Sequence, residues 1–304
     1  MPTTSPGIPA ARPRQGGRVN LDHFGMDTIT LAGSLEAKLR AARAEGFTQI
    51  MLNAGDLVGH ADGEEAAVAA VRASGLRVTG FQVLRDFEGL SGHLHEYKVD
   101  IAKAMIRMCH ALGSTVLLAC SSTSAHAEGD PGLLAKDLRK LAMLAVPYGI
   151  RIAYEALSWG RFVNQFQRSW EIVQAADRAN LGLCLDSFHI LANNGGLEGI
   201  DDIDPEKIFL VQLSDFLWRE VRSPEDRIDT ARHYRVFPGE GVHGNELREL
   251  VRRIDRIGYR GDYSFEVFND DYRNLPPPLV AERARRSVKW ITGLVARRSL
   301  PARV

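Results

Sequence analysis

Short uninterrupted apolar runs alternate along this chain with longer segments in which apolar residues recur every three or four positions. An uninterrupted run suits a strand buried on both faces, and the 3.6-residue recurrence suits an amphipathic helix. The runs predict strands at 20–29, 48–53, 77–84, 115–120, 150–155, 181–186, 208–213 and 263–268. Between them, SLEAKLRAARAEG opens on Ser34 as a cap and closes at Gly46, while Gly75, Gly113, Gly149 and Gly258 also stand just before predicted strands, where helix-ending glycines belong. Eight strands in strict alternation with about eight helices predict an α/β fold, a single-domain (β/α)8 barrel over residues 18–298, with a disordered leader 1–17 and a short basic tail 299–304. A doubly wound sheet is the alternative arrangement, but no glycine-rich phosphate fingerprint follows the first strand.

Four of the runs end in a side chain that can bind a metal: Glu155 after RIAYE, Asp186 after LGLCLD, Gln212 after FLVQ and Glu266 after DYSFE, spaced 31, 26 and 54 residues apart. A carboxylate at the end of a doubly buried strand is costly unless charge or hydrogen bonds meet it. One such ending is explained by a helix cap or a nearby arginine. Four on successive strands predict ligands delivered to one rim, and oxygen donors suit hard cations such as Mg²⁺, Mn²⁺ or Co²⁺. Without a cation the converging carboxylates would repel one another and raise at least one pKa.

Further candidates surround these four. His189, three residues past Asp186, is placed to act as a general acid or base and to contact substrate; a core or capping histidine is the plainer alternative. Arg235, before the VFPGEG turn, and Arg85, in LRDFEG, are candidate anchors for an anionic substrate, although a local pair of Arg85 with Asp86 or Glu88 is an equal reading. Arg232 and His233 rank lower, because an exposed basic run is usually just solvated. Trp159, Phe162, Phe188 and Phe237 are candidates to wall the pocket, a place that simple packing explains nearly as well. The two longest connections, 121–131 and 214–244, follow the fourth and seventh strands, at the end of a barrel where active sites are built.

Composition narrows the class. Lys plus Arg equals Asp plus Glu at 38 each, which gives no electrostatic footprint for nucleic acid or an anionic membrane and favours a small-molecule substrate. The early Pro and Gly residues break up any signal-peptide core, and no run approaches ~20 apolar residues. Cys109, Cys120 and Cys184, an odd count on a predicted helix and two predicted strands, read as reduced buried thiols. The expectation is a cytoplasmic enzyme, with homo-oligomerisation left open.

YEALSWGRFVN, NLGLCLDSFHIL, RHYRVFPGEG, SFEVFND and RDFEG together resemble the xylose-isomerase-like barrels of the sugar phosphate isomerase/epimerase superfamily and, within it, bacterial 3-dehydroshikimate dehydratases, nearly along the whole chain. The resemblance implies that Glu155, Asp186, Gln212 and Glu266 bind a divalent metal, with Gln212 where epimerases usually carry histidine. It also implies that His189 and Arg235 contact substrate. The implied reaction dehydrates 3-dehydroshikimate to protocatechuate through an enolate, with His189, Glu155 and Glu266 as the proton-transfer candidates. The pattern departs at Leu157, where some dehydratases carry a histidine, and in a long insertion over 215–234. A keto-sugar or inosose isomerase, epimerase or dehydratase is the alternative enzyme, with Glu155 and Glu266 on opposite sides of the substrate carbon. A barrel that only binds a ligand or partner is the alternative from outside enzymology.

Overall fold

The computed structural model describes residues 21–296. Eight parallel strands close into a barrel: β1 (Phe24–Asp27), β2 (Gln49–Asn53), β3 (Arg77–Arg85), β4 (Val116–Cys120), β5 (Arg151–Glu155), β6 (Leu181–Asp186), β7 (Ile208–Leu213) and β10 (Tyr263–Phe265), with β10 pairing back onto β1. A two-stranded antiparallel ribbon, β8 (Asp215–Phe216) and β9 (Arg235–Val236), stands outside the barrel. The eight predicted runs fall on the eight barrel strands, and the expected leader and tail lie outside the described residues.

The runs are apolar because both faces of each strand are covered. Inward residues such as Met51, Leu118, Ala153 and Leu210 fill the barrel, and outward ones such as Ile152, Leu183 and Val211 meet the helices. Helix Leu35–Ala44 begins where Ser34 Oγ accepts the Ala37 N–H, and Gly75, closing helix Glu64–Ser74, holds the left-handed φ of +67° that a side chain would strain. Two strand predictions overran. The first strand is flanked by 3-10 turns, Leu21–His23 and Thr28–Thr30. The last stops at Phe265, because the chain then bonds elsewhere: Val267 N–H to Thr30 Oγ1, and the Phe268 carbonyl to the Arg235 N–H.

The connection 214–244 has internal order. Helix Pro224–His233 starts on a reciprocal cap between Ser223 and Asp226, and the β8–β9 ribbon brings the ends of the insertion together. The three cysteines are buried and unpaired. Among the described residues no helix is long and apolar enough to cross a membrane.

Candidate active site

Parallel register sets the site. Cys120 faces Glu155 across β4–β5, and Asp186 faces Gln212 across β6–β7, so these strand ends reach the C-terminal rim of the barrel together. Glu266 joins them from one residue past β10. All are buried, and the rim opens into a cavity of about 280 Å³ lined by Glu155, His189, Arg235 and Glu266 among others.

Arg235 lies between the carboxylates. Its Nη1 is 2.7 Å from Asp186 Oδ2 and 3.1 Å from Glu266 Oε2, its Nε donates to the Ala231 carbonyl, and its guanidinium lies over Phe188, 4.5 Å from the ring centre. From sequence, Arg235 is a candidate substrate contact; in the fold its first role is to supply the charge that lets two buried carboxylates coexist. The β8–β9 ribbon fixes its backbone, which is why an arginine this deep keeps one pose.

Glu155 has no such neutralisation. Its Oε2 accepts the Cys120 thiol at 2.8 Å, while Oε1 is buried with no hydrogen-bond partner among the described residues. Burial, followed by the charges of Asp186 and Glu266, pushes its pKa well above the usual carboxylate range. Glu266 is raised to about 7, mainly by burial, with Arg235 opposing. Asp27, at the end of β1 and bonded to Gln82, is raised by burial and by Glu266. A buried cluster of carboxylates that shares one guanidinium, with one buried oxygen left unbonded, fits a divalent cation by its donor chemistry. Glu155, Asp186 and His189 each offer a donor atom within 4.8 Å of the others. Gln212 is fully buried at the same level, its Oε1 accepting the Cys184 thiol at 3.2 Å.

His189 is held from one side. Its Nδ1 lies 3.1 Å from the Ser158 N–H and 3.2 Å from Ser158 Oγ, and its Nε2 lies 3.5 Å from Arg235 Nη2 and 3.6 Å from Asp186 Oδ2. Burial lowers its pKa to about 3, against the pull of Asp186. His189 thus lines the cavity as a neutral ring.

Of the proposed aromatic wall, only Trp159 lines the cavity. Phe188 sits behind Arg235, Phe237 packs against Phe265 and Tyr272 in the core, and Phe162 is turned to the surface beside Gly129. Arg85 pairs with neither Asp86 nor Glu88. Asp86 caps the Thr123 N–H, and Glu88 accepts the Ser122 N–H and the Tyr154 hydroxyl. Arg85 instead lines the cavity, with Arg232, His233 and Arg273 also around it, so the basic run that composition would assign to solvent reaches the site.

Sequence reasoning passed over several residues here. Asp27 ends the strand Phe24–Asp27 as Glu155 ends β5, but the predicted run 20–29 passes over it. Gln82, a polar residue inside the β3 run, and Cys120, read as core, were within reach. Ser158 and Arg227 were not: Arg227 donates to the Ser158 carbonyl across 69 residues, tying the insertion helix to the loop that orients His189.

The fold and the rim of carboxylates define a class, and the xylose isomerase-like TIM barrel family matches residues 39–293. The chain belongs to that family. A 3-dehydroshikimate dehydratase from Pseudomonas aeruginosa is 41% identical over 265 residues, which are 87% of this chain and 41% of that protein. An inosose isomerase from Bacillus subtilis is 28% identical over 214 residues, 65% of this chain and 68% of that one. Among solved structures, a xylose isomerase-like TIM barrel/4-hydroxyphenylpyruvate dioxygenase fusion protein superposes with a TM-score of 0.84 at 34% identity, covering 92% of this chain and 45% of the fusion. The IolI protein, solved with a zinc atom, shares the fold at a TM-score of 0.76 and 22% identity, over 89% of this chain and 98% of its own. The chain thus spans less than half the length of the dehydratase and of the fusion protein.

Proposed function

We propose that this chain is a divalent-metal-dependent lyase that dehydrates 3-dehydroshikimate to protocatechuate. The observation that carries this reading is the pairing, in one cavity, of a buried carboxylate cluster with an exposed arginine that makes no close ion pair among the described residues. Among the described residues Arg85 makes no hydrogen bond or ion pair through its side chain, yet it lines the same cavity as Glu155 and Glu266. A ring carboxylate bound at Arg85 would present the rest of the molecule to the carboxylate floor. The names of the dehydratase relatives support this choice of substrate.

Glu155, Asp186, Gln212 and Glu266 would hold the metal, whose contribution is to polarise the substrate ketone and favour loss of the adjacent proton. The chain supplies the rest. Glu155 and Glu266, both carboxyl groups of raised pKa at the cavity, are the candidate bases, and neutral His189 is the candidate hydrogen-bond partner of a substrate oxygen. Arg235 holds Asp186 and Glu266 in place, and Trp159 and Leu157 shield one side. Loss of water then leads to an aromatic product. Three buried, unpaired thiols fit a reducing compartment, and we infer the cytoplasm as the place of action.

An isomerase acting on neutral inososes is the second reading, favoured by two carboxyl groups on one cavity, Glu155 and Glu266. Arg85→Ala separates the two. With metal-loaded protein and 3-dehydroshikimate, near-ultraviolet absorbance of the product should rise and be abolished by a chelator. Losing one charged hydrogen-bond pair, about 1.5–3 kcal/mol, should raise KM roughly 10- to 100-fold with kcat little changed. No product from 3-dehydroshikimate, together with turnover of a neutral inosose that Arg85→Ala leaves intact, would establish the isomerase.

A further inference from the structure

Dehydration needs two proton transfers, one from carbon and one to the departing hydroxyl. The carboxyl groups deep in the cavity can take the first. For the second, His189 is poorly placed to be resupplied: it is 4% exposed, Ser158 engages its Nδ1, and its Nε2 faces Asp186 and Arg235. A second histidine lines the same cavity. His233 is the last residue of helix Pro224–His233, and its Nδ1 is 2.8 Å from Asp270 Oδ2. Its side chain is 39% exposed, so it exchanges protons with water.

The pairing fixes the ring. A carboxylate can only accept, so Nδ1 carries a proton toward Asp270, and Nε2 is left as the nitrogen that loses and regains one. Among the described residues Nε2 has no hydrogen-bond partner. The carbonyl end of the helix adds partial negative charge beside the ring. Asp270 opens the short helix Asp270–Arg273, four residues beyond Glu266, so the chain that carries a candidate metal ligand also carries the partner of His233. Arg273 stands 4.0 Å from the other oxygen of Asp270 and helps hold it.

Resting on the dehydratase reading, we propose that His233 is the acid that protonates the leaving hydroxyl at the cavity mouth, with Asp270 as the residue that positions it. A carboxylate takes the proton from the carbon beside the ketone, and the C–H electron pair moves into the ring. The C–O bond breaks with its pair going to oxygen, which takes the Nε2 proton and leaves as water. His233 regains a proton from solvent and the carboxyl group gives one up, so no other reactant is consumed. The arrangement also explains the long 214–244 connection, whose helix brings the acid and whose ribbon brings Arg235.

The test uses metal-loaded full chain with 3-dehydroshikimate. His233→Ala should lower kcat about 100-fold with KM within a few-fold, and added imidazole should restore part of kcat in a saturable way. Asp270→Ala should lower kcat about 10-fold, whereas Asp270→Asn, which still offers Nδ1 an acceptor oxygen, should recover most of it. A wild-type kcat in His233→Ala overturns the proposal, as does a loss that falls on KM alone or is untouched by imidazole. If His233→Ala melts well below wild type, the Asp270→Ala and Asp270→Asn pair decides alone, and equal kcat for both overturns it. Absence of turnover by wild-type protein is a separate outcome and defeats the dehydratase reading itself.

Discussion

The floor of the cavity and its mouth are built by opposite means. The floor is strand-borne: Glu155, Asp186 and Gln212 lie at or next to strand ends in a parallel register, and Arg235 is locked between two carboxylates. The mouth is borne mostly by the connections: Arg232 and His233 close helix Pro224–His233 and Arg273 closes helix Asp270–Arg273, with Arg85 at the end of β3, and all are exposed except half-buried His233. The floor therefore holds a set of charges whose energetics are dominated by burial, and the mouth holds charges that water screens. Chemistry shared by the family is expected of the floor, and choice of substrate is expected of the mouth.

The largest break in that division should come from Glu155→Ala. If the floor holds the metal, the variant should lose activity by about three orders of magnitude or more and lose the metal-dependent rise in stability, which is about 2.7 kcal/mol when metal is present at 100 times its Kd. Stability in chelator should be unchanged or higher, because the residue removed is a buried carboxyl group repelled by Asp186 and Glu266. Thermal melts with and without Mn²⁺ read both effects. A metal-dependent rise equal to wild type would move the metal off this rim.

Arg235→Met should have the next largest effect. It leaves Asp186 and Glu266 buried without their countercharge, a change that typically costs about 3–5 kcal/mol. A divalent cation supplies positive charge at the same place, so Mn²⁺ should return part of the loss. Denaturation in chelator and in Mn²⁺ measures the two amounts. A variant as stable as wild type in chelator would mean that the arginine serves substrate alone and that the floor does not depend on it.

How much of this was legible follows the same division. β5, β6 and β7 could be read to within a residue, because strands covered on both faces leave an uninterrupted apolar signature and a polar terminus stands out against it. That signature located Glu155, Asp186, Gln212 and Glu266 without any contact being known. Asp27 likewise ends β1 but was missed because the predicted strand, 20–29, runs past it. The place of Arg235 could be guessed from the turn after it, but not its partners, which are 49 and 31 residues away in sequence. His233 and Arg232 were discounted for a sound reason, since most basic surface runs meet only water; what turns them inward is the capped helix and ribbon of the insertion, which have no periodic apolar signal. The histidine at 189 was legible as a candidate, whereas its contact with Ser158, a loop residue with no sequence pattern linking it to the ring, was not.

A smaller effect separates the floor from the loop layer beside it, past the ends of β3 and β4. Glu88, from the RDFEG segment, is buried, with Oε1 accepting the Ser122 N–H and the Tyr154 hydroxyl and Oε2 without a partner among the described residues. Burial raises its pKa from 4.5 to about 7. The folded protein therefore keeps this proton where the unfolded chain has released it, so stability from this group is fully present below pH 4.5 and is lost as pH rises through about 7. Glu88→Gln keeps an acceptor oxygen for both donors and cannot ionise. The wild type should lose up to ~3 kcal/mol relative to Glu88→Gln between about pH 5 and pH 8. Urea midpoints of the two proteins at both pH values, in chelator, give the difference directly, since Asp27, Glu155 and Glu266 titrate alike in each. Parallel pH profiles would show that Glu88 stays charged in the fold; the support of Tyr154, next to Glu155, would then come from an ionised carboxylate.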